Sequence, residues 1–118
     1  MIRTYVIDVT TLGEDGSATG TATTRRPING TISGVKVEYT DQASTADTTI
    51  VDELAQPILS LTNNNVGGWF YPHPEIHDNT GAELNKQTCP FTVNGYLTCT
   101  IAQSNEGTAR VYILVCES

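Results

Sequence analysis

Leu97-Thr98-Cys99-Thr100-Ile101-Ala102 and Ala109-Arg110-Val111-Tyr112-Ile113-Leu114-Val115 decide how this chain is read. In the first run Leu97, Cys99 and Ile101 recur at every second position. In the second, Ala109, Val111, Ile113 and Val115 do the same. A period of two belongs to a strand, whose successive side chains leave by opposite faces. Ser104-Asn105-Glu106-Gly107 lies between the runs, so they predict a closing hairpin. Working outward, Tyr5, Ile7 and Val9 alternate with Thr4, Val6, Asp8 and Thr10 in a first strand. Gly13-Glu14-Asp15-Gly16-Ser17 is a turn cluster, and 18–25 is a weaker second strand. Pro27 and Asn29-Gly30 punctuate the approach to a third strand over 31–40, carried by Val35, Val37 and Tyr39.

Thr48-Thr49-Ile50-Val51 and 58–62 predict two more strands. Between them 52–56 has room for at most one helical turn before Pro57. Asn94-Gly95, between Phe91-Thr92-Val93 and Tyr96-Leu97-Thr98, predicts a two-residue hairpin, because both residues tolerate positive φ. No long stretch holds a helical period. Seven to nine short strands in 118 residues predict one all-β domain over 1–118, an antiparallel β-sandwich of jelly-roll or immunoglobulin-like type.

Composition narrows function by exclusion. Six Lys and Arg against 13 Asp and Glu give a net charge of −7 and a pI near 4.5. Such a surface has few cations to replace counterions on nucleic acid. It is equally unsuited to an anionic membrane. Only 16% of residues are charged, and 19 are threonines, which favour half-buried sheet. Arg3, Thr4 and Asp8 interrupt any apolar leader, so export by a signal peptide is not expected. Cys89, Cys99 and Cys116 form no C-x-x-C pair. Strand parity places Cys116 on the face opposite Cys99, so free thiols are expected.

Few residues suggest chemistry. His73-Pro74-Glu75-Ile76-His77-Asp78 holds both histidines of the chain. Prolines break the helix that a His pair at i and i+4 would need, and the Glu is misplaced for H-E-x-x-H. Cys89 lacks a glycine-lined elbow. Gly67-Gly68 opens no phosphate-binding helix. No catalytic residue, metal or cofactor is expected. Residues 72–87 read as a long irregular loop, a feature usually tied to function. Trp69-Phe70-Tyr71, just before it, is the densest aromatic patch. Trp69 and Tyr71 either close the end of the sandwich or anchor a subunit interface. Arg25-Arg26, the one basic doublet, is either solvated or clamps a partner's carboxylate.

The order of elements resembles that of small β-sandwich virion proteins of tailed bacteriophages. The likeness covers about residues 30–116. It rests on Val35-Lys36-Val37-Glu38-Tyr39-Thr40 leading to Asp47-Thr48-Thr49-Ile50, then Tyr71-Pro72, then His77-Asp78-Asn79-Thr80-Gly81-Ala82, and on the final pair of strands. The resemblance implies a non-enzymatic capsid decoration, or cement, protein. Such a protein sits on the outside of the head and bridges major capsid protein subunits as a homo-trimer or homo-dimer. It assembles in the host cytoplasm and touches neither nucleic acid nor membrane. A neck, adaptor or fibre-base protein is an alternative, and a carbohydrate- or receptor-binding module a further one. The residues expected at a partner interface are Trp69, Phe70, Tyr71, His73, His77, Arg25 and Arg26.

Overall fold

A computed structural model describes residues 1–117, with the side chains at 85 and 86 outside the description. Eleven strands are described: β1 (Ile2–Thr11), β2 (Ala18–Thr23), β3 (Ile28–Thr40), β4 (Asp47–Val51), β5 (Pro57–Leu61), β6 (Gly68–Phe70), β7 (Glu75–His77), β8 (Glu83–Thr88), β9 (Thr92–Gly95), β10 (Thr98–Ser104) and β11 (Gly107–Glu117). All pairing among them is antiparallel.

One sheet runs β1-β11-β3-β6, with β9 also on β3; the other runs β2-β10-β4-β5. Setting aside β7 and β8, which pair only with each other among the described residues, and counting β6 and β9 as one position, eight strands pair as first with eighth, second with seventh, third with sixth and fourth with fifth. This nested pairing is a long ribbon folded over on itself, the jelly-roll form of the sandwich. It decides between the two topologies that the sequence left open.

The sheets bury one shared core, because each presents an apolar face that only the other can cover. Tyr5, Ile7 and Val9 from β1, Val35 and Val37 from β3, and Val111, Ile113 and Val115 from β11 come from one side. Ile50, Ile58, Leu59, Cys99 and Ile101 come from the other. Both alternating runs that decided the reading are therefore buried, but in facing sheets. The expected closing hairpin does not form: β10 pairs with β2 and β4, while β11 pairs with β1 and β3. The Asn94-Gly95 hairpin fails for the same reason. β9 stays on β3, and the chain crosses at Tyr96 to the opposite sheet, where Leu97 and Thr24 exchange hydrogen bonds.

Two smaller expectations also change, while 52–56 stays within the one turn at most that the sequence allows. Asn29-Gly30 lies inside β3, where Gly30 is pressed against the backbone of Cys116. Residues 52–56 form a turn closed by Asp52 Oδ1, which accepts from the backbone N–H of Leu54 and Gln56 at 2.9 Å each. The loop of 72–87 contains a hairpin, β7-β8. The cysteines are free, as the parity argument expects: Cys99 is in the core and Cys116 is exposed.

One end of the sandwich is tied by a buried polar knot. Thr11 Oγ1 donates to the Asn105 carbonyl at 2.7 Å and accepts from Gly107 N–H at 3.0 Å. Gln42 Nε2 donates to Thr11 Oγ1 at 3.3 Å, and Ser104 Oγ donates to Gln42 Oε1. Buried polar groups need such partners, so this knot fixes β1, the turn before β11 and the turn after β3 against one another.

Candidate functional site: the outer face of the β1-β11-β3-β6 sheet

Each strand that buries one face turns the other to solvent. On the β1-β11-β3-β6 sheet the outward residues fall into rows across the strands. Val6 pairs with Tyr112, Tyr112 with Lys36, and Lys36 with Trp69, so one row crosses all four strands. At about 4.8 Å per strand, it spans about 14 Å. Trp69 is 46% exposed and Tyr71 65% exposed, far above the burial expected of aromatic rings that close a core. Their planes are 13° apart with centroids at 6.4 Å.

The sequence positions these rings in two ways. Residues at i and i+2 on an extended strand share a face, which puts Trp69 and Tyr71 outward and Phe70 inward against the core. Gly34 supplies the second. A Cβ there would lie 3.1 Å from Tyr71 Cε1 and 3.7 Å from Trp69 Cε3, so the missing side chain lets Tyr71 settle on β3. A bulge at Ser33-Gly34 shifts the buried set of β3 from even to odd numbers and so turns Lys36 outward. The Lys36 ammonium then stands 6.0 Å from the Trp69 ring centroid and 5.8 Å from that of Tyr112. Cation–π attraction at these distances is worth about 0.5–1 kcal/mol where water is present.

The next row is polar: Asp8 opposes Arg110, which opposes Glu38. Arg110 Nε donates to Asp8 Oδ1 at 2.7 Å. That hydrogen bond holds the Asp8 carboxyl below its ordinary range and raises the guanidinium further above its own. A shallow depression of about 430 Å³ lies here, lined by Asp8, Thr10, Glu38, Thr40, Arg110 and Tyr112 among others. The face thus combines an aromatic shelf with fixed charges, an arrangement suited to docking.

The expected interface residues do not form one site. Trp69 and Tyr71 lie together on this face; Phe70 does not. His73 and His77 are exposed on the arm formed by 71–90, and the closest polar contact of His73 is Thr88 Oγ1 at 3.5 Å from Nδ1. Arg25 and Arg26 are exposed just after β2. Among the described residues, no three His, Cys, Asp or Glu side chains converge in a way that holds a metal ion. Lys36, Tyr112 and Gly34 escaped the sequence reading. Alternation marks Lys36 and Tyr112 as outward, but only the β3–β11 and β3–β6 registers bring them beside Trp69.

No protein-family model matches the chain, and no curated protein matches its sequence.

Proposed function

We propose that this protein is a non-catalytic structural component of a tailed-bacteriophage virion. In this reading it is a decoration protein that docks on the outer head surface and bridges major capsid protein subunits. The observation that carries the reading is the outward row of Val6, Tyr112, Lys36 and Trp69, continued by Tyr71, in which Val6, Trp69 and Tyr71 are exposed and Tyr112 and Lys36 half-buried. Rings held in place by backbone lose little entropy on docking, and Trp and Tyr are the usual anchors of protein interfaces. Jelly rolls recur in viral capsids, which supports the reading by analogy of fold. The acidic surface suits a position facing away from packaged DNA.

Heads assembled without this chain provide the test. The purified protein should sediment with them, and Trp69→Ala with Tyr71→Ala should weaken binding at least about 30-fold, the equivalent of about 2 kcal/mol. Failure of the wild-type chain to bind such heads overturns the reading. A copy number sufficient only for a ring moves the protein to the neck.

A second reading is favoured by the nearly parallel, exposed rings of Trp69 and Tyr71 beside the polar depression of Asp8, Glu38 and Arg110. A saccharide stacks its apolar face on such rings and hydrogen-bonds to such charges, and jelly rolls also serve as lectins. Binding to a glycan array that is lost in Trp69→Ala, with no binding to heads, selects it.

A further inference from the structure

The sandwich is open along one seam. β1 and β2 edge their respective sheets and meet at one end, where Leu12 and Thr19 exchange backbone hydrogen bonds of 3.0 and 3.1 Å. Gly20 permits that approach, since a Cβ there would strike the Thr10 carbonyl oxygen. Toward the other end the strands part. Between Arg3–Asp8 of β1 and residues 22–26 lies a cleft of about 520 Å³, floored by Tyr5, Ile7 and Ala22. Among the described residues, no strand pairs with the outer edge of β1 or β2 along this cleft. Free edges of this kind accept an added strand.

The cleft is basic within an acidic chain. Arg3, Arg25 and Arg26, three of the six cations, line it, against Asp8 alone. Asp8 is engaged by Arg110, and Arg3 by Glu117 at 2.8 Å. Among the described residues Arg25 and Arg26 make no ion pair.

The arm of residues 71–90 has the complementary character. None of its described residues is buried. Among the described residues, its strands β7 and β8 contact each other and no other strand. A two-stranded hairpin with no core beneath it is marginal alone. The segment carries Glu75, Asp78 and Glu83 against one lysine. β8 spans six residues, matching the six of β1 that line the cleft. The arm leaves from the β6–β9 edge, while the cleft lies along β1 at the opposite edge of the same sheet. Donor and acceptor on opposite edges suit a head-to-tail contact between copies.

We propose that the 71–90 arm of one copy occupies the β1–β2 cleft of a second copy, with Glu75 and Glu83 meeting Arg25 and Arg26. The result is a closed assembly in which every copy gives and receives one arm. This inference stands apart from the reading of the aromatic face and does not depend on what that face docks on.

The test is the molar mass of the full chain in solution, by light scattering after gel filtration at micromolar concentration and near-physiological salt. The wild-type chain assembles. R25E/R26E and E75K/E83K each raise the dissociation constant at least about tenfold, because like charges then face each other across the contact. The quadruple variant R25E/R26E/E75K/E83K, with both signs reversed, assembles again. All four substituted residues are exposed, and a thermal melt by circular dichroism verifies the fold of each variant. Asp78 is left intact because it closes the arm's turn by accepting from Thr80 and Ala82 N–H. A monomeric wild-type chain overturns the proposal. So do reversal variants that assemble like the wild type, or a quadruple variant that stays apart. Trp69→Ala should leave the assembly unchanged, which separates this result from loss of docking.

Discussion

The Tyr71 ring rests on the backbone of Gly34, close enough that a single added carbon would stand 3.1 Å from its Cε1. The arrangement of this aromatic face therefore depends on a residue with no side chain. Gly34→Val should lift Tyr71 and disturb Trp69 by direct contact, while leaving both rings in the chain. Binding to heads should fall about tenfold or more, the scale set by losing an aromatic anchor. Unchanged binding would place the contact elsewhere.

The knot of Thr11, Gln42 and Ser104 should be the most sensitive polar point in the fold. Gln42→Ala leaves buried hydroxyls short of a partner and should cost about 1–3 kcal/mol in urea unfolding. The exposed rung between Thr21 and Thr100, 3.2 Å apart, is the internal control. Thr100→Ala should cost less than about 0.5 kcal/mol.

The three thiols should differ in reactivity. Burial pushes the Cys99 thiol from 9.0 up to about 12, so it is neither accessible nor ionised at neutral pH. Cys116, exposed on the outer face, should react first with a thiol reagent, Cys89 next, and Cys99 only after denaturant. The sign of the linked pH effect follows. A thiol whose folded value lies above its unfolded value favours folding below the unfolded value. That contribution declines as pH rises from 9.0 toward about 12. Cys99→Val should flatten this part of the alkaline stability curve.

Asp8 and Arg110 give the opposite slope at acid pH. The Arg110 hydrogen bond holds the Asp8 carboxyl below 3.8, so the pair stabilises the fold above that value and fades as pH falls through the depressed one. Both side chains are more than half exposed, so screening limits the gain to a few tenths of a kcal/mol. Asp8→Asn should lower stability by that much at neutral pH and by nothing at pH low enough to protonate the carboxylate.

Local pattern carried the strands but not their partners. Tyr5, Ile7 and Val9, and Val111, Ile113 and Val115, alternate over long runs, and a period of two survives any topology. Asn94-Gly95 misled because a turn signal reports a change of direction, whereas pairing in a jelly roll links strands from opposite halves of the chain. Among the described residues, only β4–β5 and the arm's β7–β8 pair with their neighbours in sequence. The arm was hidden for a different reason: Glu75-Ile76-His77 is too short, and too interrupted by Pro72 and Pro74, to show a period. Trp69 and Tyr71 stood out by residue type alone. Their companions Lys36 and Tyr112 depend on register across β3, which the bulge at Ser33-Gly34 resets by one residue.

Electron microscopy of the assembled particle tests the central claim most directly. The account predicts density for this jelly roll on the head exterior, with Trp69, Tyr71 and Tyr112 turned onto the major capsid protein at a junction between subunits. A particle that lacks the chain, or one in which those rings face solvent, would contradict it.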